Sequence, residues 1–149
     1  MPELVLKPIG IVRNEVKEPV RRDWHEVVSE ITIDEGLEEC LEGLEEFSHI
    51  IVVYWMSRAP SWGQPPPKIH PMGRADLPLV GLFATCTPHR PNPLGVTVAR
   101  LLERRGNVLK VEGLDAIDDT PVIDIKPYFP PRAVSPDNLQ MPDWGKRPG

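Results

Sequence analysis

Proline constrains this chain more than any other feature. It occupies 19 of 149 positions and clusters at 60–78, 88–93 and 127–148. An interior proline breaks a helix at a cost of ~3 kcal/mol, and in a sheet it is confined to edges and bulges. A long helical bundle is therefore excluded, and long central strands are disfavoured. What remains is a set of short elements between stiff, shaped loops. The chain is not disordered throughout, because 40% of its residues are hydrophobic and fall in runs. Its length suits one domain that can bury a core without staples.

Several function classes drop out early. No apolar run approaches the ~20 residues of a membrane span. The start, Met1-Pro2-Glu3-Leu4, has no basic region leading into an apolar stretch, so no secretory signal is expected. Two cysteines, Cys40 and Cys86, make no disulfide framework, and a reduced cytoplasmic location is the expectation. The net charge of −5 argues mildly against nonspecific nucleic-acid binding and leaves room for a local basic patch.

Strands are expected over 4–13, 26–33 (alternating and β-branched), 48–56 (a continuous apolar run, read as a buried strand), 79–85 and 121–126. Residues 96–104 and 107–114, joined through Arg105-Gly106-Asn107, read as a hairpin. Asp34 is placed to cap a helix over 35–43, where Leu37, Cys40, Leu41 and Leu44 recur at helical spacing. Residues 57–78 hold six prolines without periodicity, longer than an ordinary connection. The expected fold is mainly β: a single barrel of about seven short strands with one short helix and long proline-rich loops. The domain spans 1–131, and 132–149 form a C-terminal tail.

Two segments concentrate the chemistry. In 81–95, Pro88, Pro91 and Pro93 fix backbone angles, and Asn92 is pushed out of the helical region by the proline after it. A loop so restricted presents backbone amides and carbonyls without an ordering cost on binding. It carries His89 and Arg90, with a structural corner as the equal alternative. The second segment, 112–128, has four aspartates within ten residues: Asp115, Asp118, Asp119 and Asp124. Asp118-Asp119-Thr120-Pro121 reads as a turn. Asp124 lies between Ile123 and Ile125 in an apolar strand. If it points inward it needs a partner such as Arg90, Lys126 or Arg100, and a structural ion pair is slightly favoured over catalysis.

Cys86-x-x-His89, with His70 upstream, has ligand spacing, but no second pair completes a zinc site, so no metal is expected. Basic residues (Arg21-Arg22, Lys68, Arg74, Arg104-Arg105, Arg132) and aromatic residues (Trp24, Trp62, Tyr128, Phe129, Trp144) make a surface on which single-stranded RNA could stack, although a solvated surface is the simpler reading.

These segments carry a family resemblance. Gly81-Leu-Phe-Ala-Thr85 with Arg90-Pro-Asn-Pro-Leu-Gly95, and Leu114-Asp115 with Asp119-Thr-Pro-Val-Ile-Asp-Ile-Lys-Pro-Tyr128, resemble the TsaA-like family, also called YaeB-like or TrmO-type. Ile9-Gly10-Ile-Val-Arg13 and Leu44-Glu-Glu-Phe-Ser-His49 resemble it too, so the likeness runs from about 8 to 131. It implies a β-barrel that binds S-adenosylmethionine, forms a homodimer, and methylates N6 of threonylcarbamoyladenosine beside the tRNA anticodon. It implies cofactor contacts at Arg21, Arg22, Met56, Ser57, Thr85, Cys86, Arg90, Asn92, Asp118, Asp119, Thr120 and Pro121. Substrate contacts are expected at His89, Arg90, Lys126 and Tyr128, and catalytic carboxylates at Asp115, Asp119 or Asp124.

Three positions depart from the family pattern. Cys86 stands where arginine usually follows Ala-Thr. Met56-Ser57 replaces Phe-His at the strand end, and Val20-Arg21-Arg22-Asp23-Trp24 lacks a clear Pro-Arg-Gln. The resemblance leads one to expect the short form, without the extra C-terminal domain of longer members. Two other functions stay open: methylation of a small molecule or protein, and noncatalytic binding of the cofactor.

Overall fold

The computed structural model describes residues 2–19, 22–56, 65–130 and 134–146. The chain divides into two compact units, one comprising 1–65 and 88–128 and the other 66–87 and 129–149.

The first unit is a closed antiparallel barrel. Its six strands are β1 (Gly10–Arg13), β2 (Val28–Ile33), β3 (His49–Trp55), β6 (Leu94–Arg105), β7 (Val108–Glu112) and β8 (Pro121–Pro127), in the spatial order β1-β2-β7-β6-β3-β8. Closure leaves the strands no exposed edge. The alternation expected of 26–33 is realised in β2, where Ser29, Ile31 and Ile33 point into the core. The apolar run in β3 is not uniformly buried: Ile50, Val52 and Tyr54 face inward, and the residues between them are half-covered. With Val12, Ala99, Leu109, Val111 and Val122 they fill the barrel. Full burial of an aliphatic side chain stabilises by about 1.5–3 kcal/mol, so this interior dominates the fold energetics.

The expected hairpin forms between β6 and β7, turning at Gly106 with φ +60°. The strand expected over 4–13 pairs only from Gly10 onward, after Pro8. The helix expected over 35–43 is a 3-10 helix, Glu35–Leu41. Asp34 caps it by accepting a bond from the Gly36 N–H at 3.0 Å. Glu35, Glu38, Glu39 and Glu42 sit three and four residues apart, and their repulsion disfavours a longer helix. Leu41 is buried in the barrel core, and Leu37 and Leu44 pack against that core.

In the second unit, β4 (Lys68–Ile69) and β5 (Val80–Gly81) pair as a two-stranded ladder. The strand expected over 79–85 is therefore only two residues long. It is followed by a 3-10 turn, Leu82–Ala84, so it contributes no seventh barrel strand.

Candidate functional site

In an antiparallel barrel the chain direction decides which loops meet. The C-terminal ends of β1, β3 and β7 and the N-terminal ends of β2, β6 and β8 share one end. That end carries residues 14–19 and 22–27 and the loops 88–93 and 113–120. It gathers Arg22, Met56, His89, Arg90, Asn92, Asp115, Asp118, Asp119, Thr120 and Pro121.

The turn at 118–119 is held firmly. The Asp119 N–H donates to the Val12 carbonyl at 2.8 Å, the Val12 N–H to the Thr120 carbonyl at 2.9 Å, and the Asp118 N–H to the Val16 carbonyl at 2.8 Å. The Thr120 hydroxyl donates to the Ile117 carbonyl at 2.7 Å. Asp119 adopts φ +69°, a left-handed conformation that aspartate tolerates better than most residues. Its carboxylate is exposed and pairs with Arg13. Asp118 is buried and accepts from the Asn14 backbone N–H at 3.0 Å and from Lys17 Nζ at 3.0 Å. Those donors, the backbone N–H first, hold its carboxyl below the ordinary value of 3.8.

Asn14 ties this turn to the barrel. Its Nδ2 donates to the Ala116 carbonyl at 2.7 Å and to the Ser29 hydroxyl at 2.9 Å, while its Oδ1 accepts from the Val16 N–H at 3.0 Å. Arg13, Asn14 and Lys17 were not among the expected site residues. The available signal was a polar run directly after a strand, Arg13-Asn14-Glu15.

The 88–93 loop is shaped by its prolines. The Arg90 N–H donates to the Pro88 carbonyl at 2.9 Å and the Leu94 N–H to the Asn92 carbonyl at 2.7 Å, two successive three-residue turns. The Met56 N–H bonds the Pro93 carbonyl at 2.7 Å, joining the end of β3 to this loop. Beneath it, the buried Tyr54 hydroxyl shares a hydrogen bond of 2.9 Å with Thr97. Burial, offset by that bond and reinforced by the Asp115 charge, pushes its pKa up to about 12.

Three expected residues fall elsewhere on the barrel. Lys126 and Tyr128 lie at or beyond the C-terminal end of β8, the opposite end of the barrel from Asp118. Asp124 is not buried. Val53 pairs with Asp124 and Tyr54 with Val122, so Ile123 is an extra residue in β8. This bulge turns Asp124 outward from the side Val122 occupies, and its carboxylate pairs with Lys126 at 3.0 Å. Thr85 and Cys86 belong to the second unit. There the Thr85 hydroxyl closes its own 3-10 turn by donating to the Leu82 carbonyl at 2.7 Å, and Cys86 is an exposed free thiol. Arg21 and Ser57 lie outside the described residues. A groove lined by Pro8, Ile9, Gly10, Ile33 and Asn107 holds none of the carboxylates at 115–119. Among the described residues no His, Cys, Asp and Glu cluster could hold a metal ion, and no helix is long and apolar enough to cross a membrane.

A closed six-stranded antiparallel barrel with charged loops gathered at one end defines a small β-barrel domain. More particularly, the chain belongs to the tRNA-methyltransferase O N-terminal domain family, whose model matches residues 14–132. It is 40% identical over 131 residues to an S-adenosyl-L-methionine-binding protein of Archaeoglobus fulgidus, covering 85% of this chain and 91% of that protein. It is 39% identical over 104 residues to a tRNA (adenine(37)-N6)-methyltransferase of Mus musculus, covering 70% of this chain but 23% of that protein. The crystal structure of TrmO from Pseudomonas aeruginosa matches with a TM-score of 0.78 at 28% identity, covering 99% of this chain and 65% of that one.

Proposed function

We propose that this chain is an S-adenosylmethionine-dependent methyltransferase acting on N6 of threonylcarbamoyladenosine next to the tRNA anticodon. The observation that carries the reading is the family match over residues 14–132, which includes the 88–95 loop and the 118–121 turn at one barrel end. A cytoplasmic location belongs to the same proposal.

The residues at this end fit the cofactor. Its amino-acid part carries both charge signs and its sulfur is positive. The exposed carboxylates of Asp115 and Asp119 and the cations of Arg13, Lys17 and Arg90 stand around the same loops. The bound cofactor supplies a methyl group on a sulfonium. The protein has to place the acceptor nitrogen on the methyl–sulfur axis, an orientation effect worth up to ~7–11 kcal/mol in ideal cases. The stiff 88–93 loop and the 118–121 turn provide that placement. Arg90 holds the cofactor or substrate carboxylate, while Arg13 holds Asp119. Asp119 or Asp115 accepts the proton that the acceptor nitrogen loses.

The test is transfer of labelled methyl to tRNA carrying threonylcarbamoyladenosine, alongside calorimetry with S-adenosylmethionine. Transfer with binding supports the reading. No binding removes it. Binding without transfer to any tRNA favours a cofactor-binding module, the function named for the archaeal relative.

A homodimer is part of the same proposal. On β6, Val96 and Val98 are 65% and 47% exposed, and they pair across from Val53 and Ile51 of β3. An apolar strip of this kind on a barrel wall suits a second copy. Sedimentation of Val96→Glu should give monomers where the parent chain gives dimers.

A further inference from the structure

We propose that Asn14 is the positioning residue that fixes two exposed carboxylates, Asp115 and Asp119, for methyl transfer. The inference rests on the methyltransferase reading, in which one of those carboxylates takes the proton of the acceptor nitrogen.

Burial alternates along the loop that follows β7. Leu114, Ala116, Asp118 and Thr120 are buried, whereas Asp115 and Asp119 are exposed. The exposed carboxylates therefore stand wherever the buried members between and beside them are held. Leu114 packs in the barrel core. Ala116 and Asp118 are gripped by Asn14. Its Nδ2 donates to the Ala116 carbonyl at 2.7 Å, and its backbone N–H donates to Asp118 Oδ1 at 3.0 Å. Each grip adjoins an exposed carboxylate, since Ala116 follows Asp115 and Asp118 precedes Asp119. The ion pair between Asp119 and Arg13 is exposed on both sides, and such a pair fixes little by itself.

Asn14 is itself held from three directions. Its Nδ2 also donates to the hydroxyl of Ser29 at 2.9 Å, a residue of β2 that is 1% exposed. Its Oδ1 accepts from the Val16 N–H at 3.0 Å. Its backbone carbonyl accepts from Lys17 Nζ at 2.7 Å, and the same ammonium reaches Asp118 at 3.0 Å. One side chain thus ties the end of β1, the wall of β2 and the loop at 116–118. The task needs two donors and one acceptor on a short side chain, which the asparagine amide supplies. Aspartate has the same shape but no donor when ionised, and it would set a negative charge against the Ala116 carbonyl and the Asp118 carboxylate.

The test compares Asn14→Ala and Asn14→Asp with the parent chain. Three quantities are measured: kcat and KM for labelled-methyl transfer to modified tRNA, the stoichiometry of S-adenosylhomocysteine binding by calorimetry, and the melting temperature. A misplaced carboxylate lowers kcat without lowering the fraction of folded chains. Both variants should keep the parent's binding stoichiometry. Displacements of about 1 Å can cost ~100-fold, so kcat should fall about tenfold in Asn14→Ala and about a hundredfold in Asn14→Asp. The order of the two variants carries the decision. A residue that only filled space and held the Val16 turn would be replaced better by aspartate, which keeps the shape and the acceptor. A kcat in Asn14→Asp equal to or above that of Asn14→Ala therefore overturns the proposal. So does an unchanged kcat in both variants, or a loss that only follows a loss of binding stoichiometry. If Asn14→Asp does not fold, Ser29→Ala decides instead. It removes one partner of the amide away from the carboxylates and should give a smaller loss of kcat at the parent's stoichiometry, and an unchanged kcat overturns the proposal. A parent chain that transfers methyl to no tRNA overturns the functional reading instead.

Discussion

The ring of Tyr54 occupies the space that a side chain on Gly95 would need. A Cβ built on Gly95 falls 2.3 Å from Tyr54 Cε2 and 2.5 Å from Cζ. The two residues pair across β3 and β6, and Gly95 closes the Arg90-Pro-Asn-Pro-Leu-Gly95 segment. The glycine at the end of this segment is therefore needed because a buried aromatic ring packs over its backbone.

Gly95→Ala should destabilise the barrel by about 1–3 kcal/mol, the usual cost of overpacking a tight interior. Denaturant unfolding measures it. In Gly95→Ala/Tyr54→Val the clash is gone, so the double variant should lose less than the sum of its two single variants. Strict additivity would mean that the two residues do not share this space.

Asp118 should govern the acid limb of stability. Its folded pKa lies below 3.8, so the charge stabilises the fold fully above that value and the contribution is lost as pH falls through the folded value. Asp118→Asn keeps an oxygen for the Asn14 N–H but loses the charge facing Lys17. Its stability should therefore be lower near neutrality and flatter below about pH 4 than the parent's. Thermal unfolding across pH checks this.

Tyr54 should act on the opposite limb. Its pKa is raised to about 12 in the folded barrel, from 10.0. The stabilisation is present below the unfolded value and is lost as pH rises from 10 toward 12. Tyr54→Phe should show a shallower alkaline decline, read by the same unfolding measurements. An identical decline in both proteins would contradict the buried hydroxyl.

The aspartates should separate by position. Asp124 and Lys126 form a pair that is exposed on both sides, and such pairs contribute ~0–1 kcal/mol. Asp124→Asn should leave stability nearly unchanged and methyl transfer within about twofold of the parent. Asp119→Asn should fold normally, since asparagine tolerates φ +69°, yet lose cofactor affinity or transfer. Steady-state kinetics on modified tRNA distinguishes the two.

Much of the barrel was legible because its signals are local. Alternation marked β2, Arg105-Gly106-Asn107 marked the β6–β7 hairpin, and Asp34 marked the cap of the following helix. The turn at Asp118–Asp119 was legible for the same reason, since aspartates before Thr-Pro have few other uses. Asp124 was not. Its ion pair with Lys126 was among the expected alternatives, but the side it faces was not readable, because one extra residue, Ile123, reverses the face of everything after it. Nothing in the order Pro-Val-Ile-Asp-Ile announces that bulge, because it is defined against β3.

The roles of Asn14 and Tyr54 were hidden for a related reason. Asn14 is polar and follows a strand, which describes most loop starts, and it becomes a clamp only because 116 and 118 return to it. Tyr54 looked like one more apolar residue until its partner across the sheet was known to be glycine. Residue type and neighbours along the chain were enough to place mostly short strands, stiff loops and tight turns and to reveal the family resemblance, whereas the twelve-residue length of β6 depends on its pairing with both β3 and β7. Tertiary pairing alone brings residues 14–19 and 22–27 and the loops 88–93 and 113–120 to one barrel end, puts Lys126 and Tyr128 at the other, and sets which carboxylates are held. Those facts follow from strand order, register and one bulge, and they arise from pairing between segments up to about a hundred residues apart.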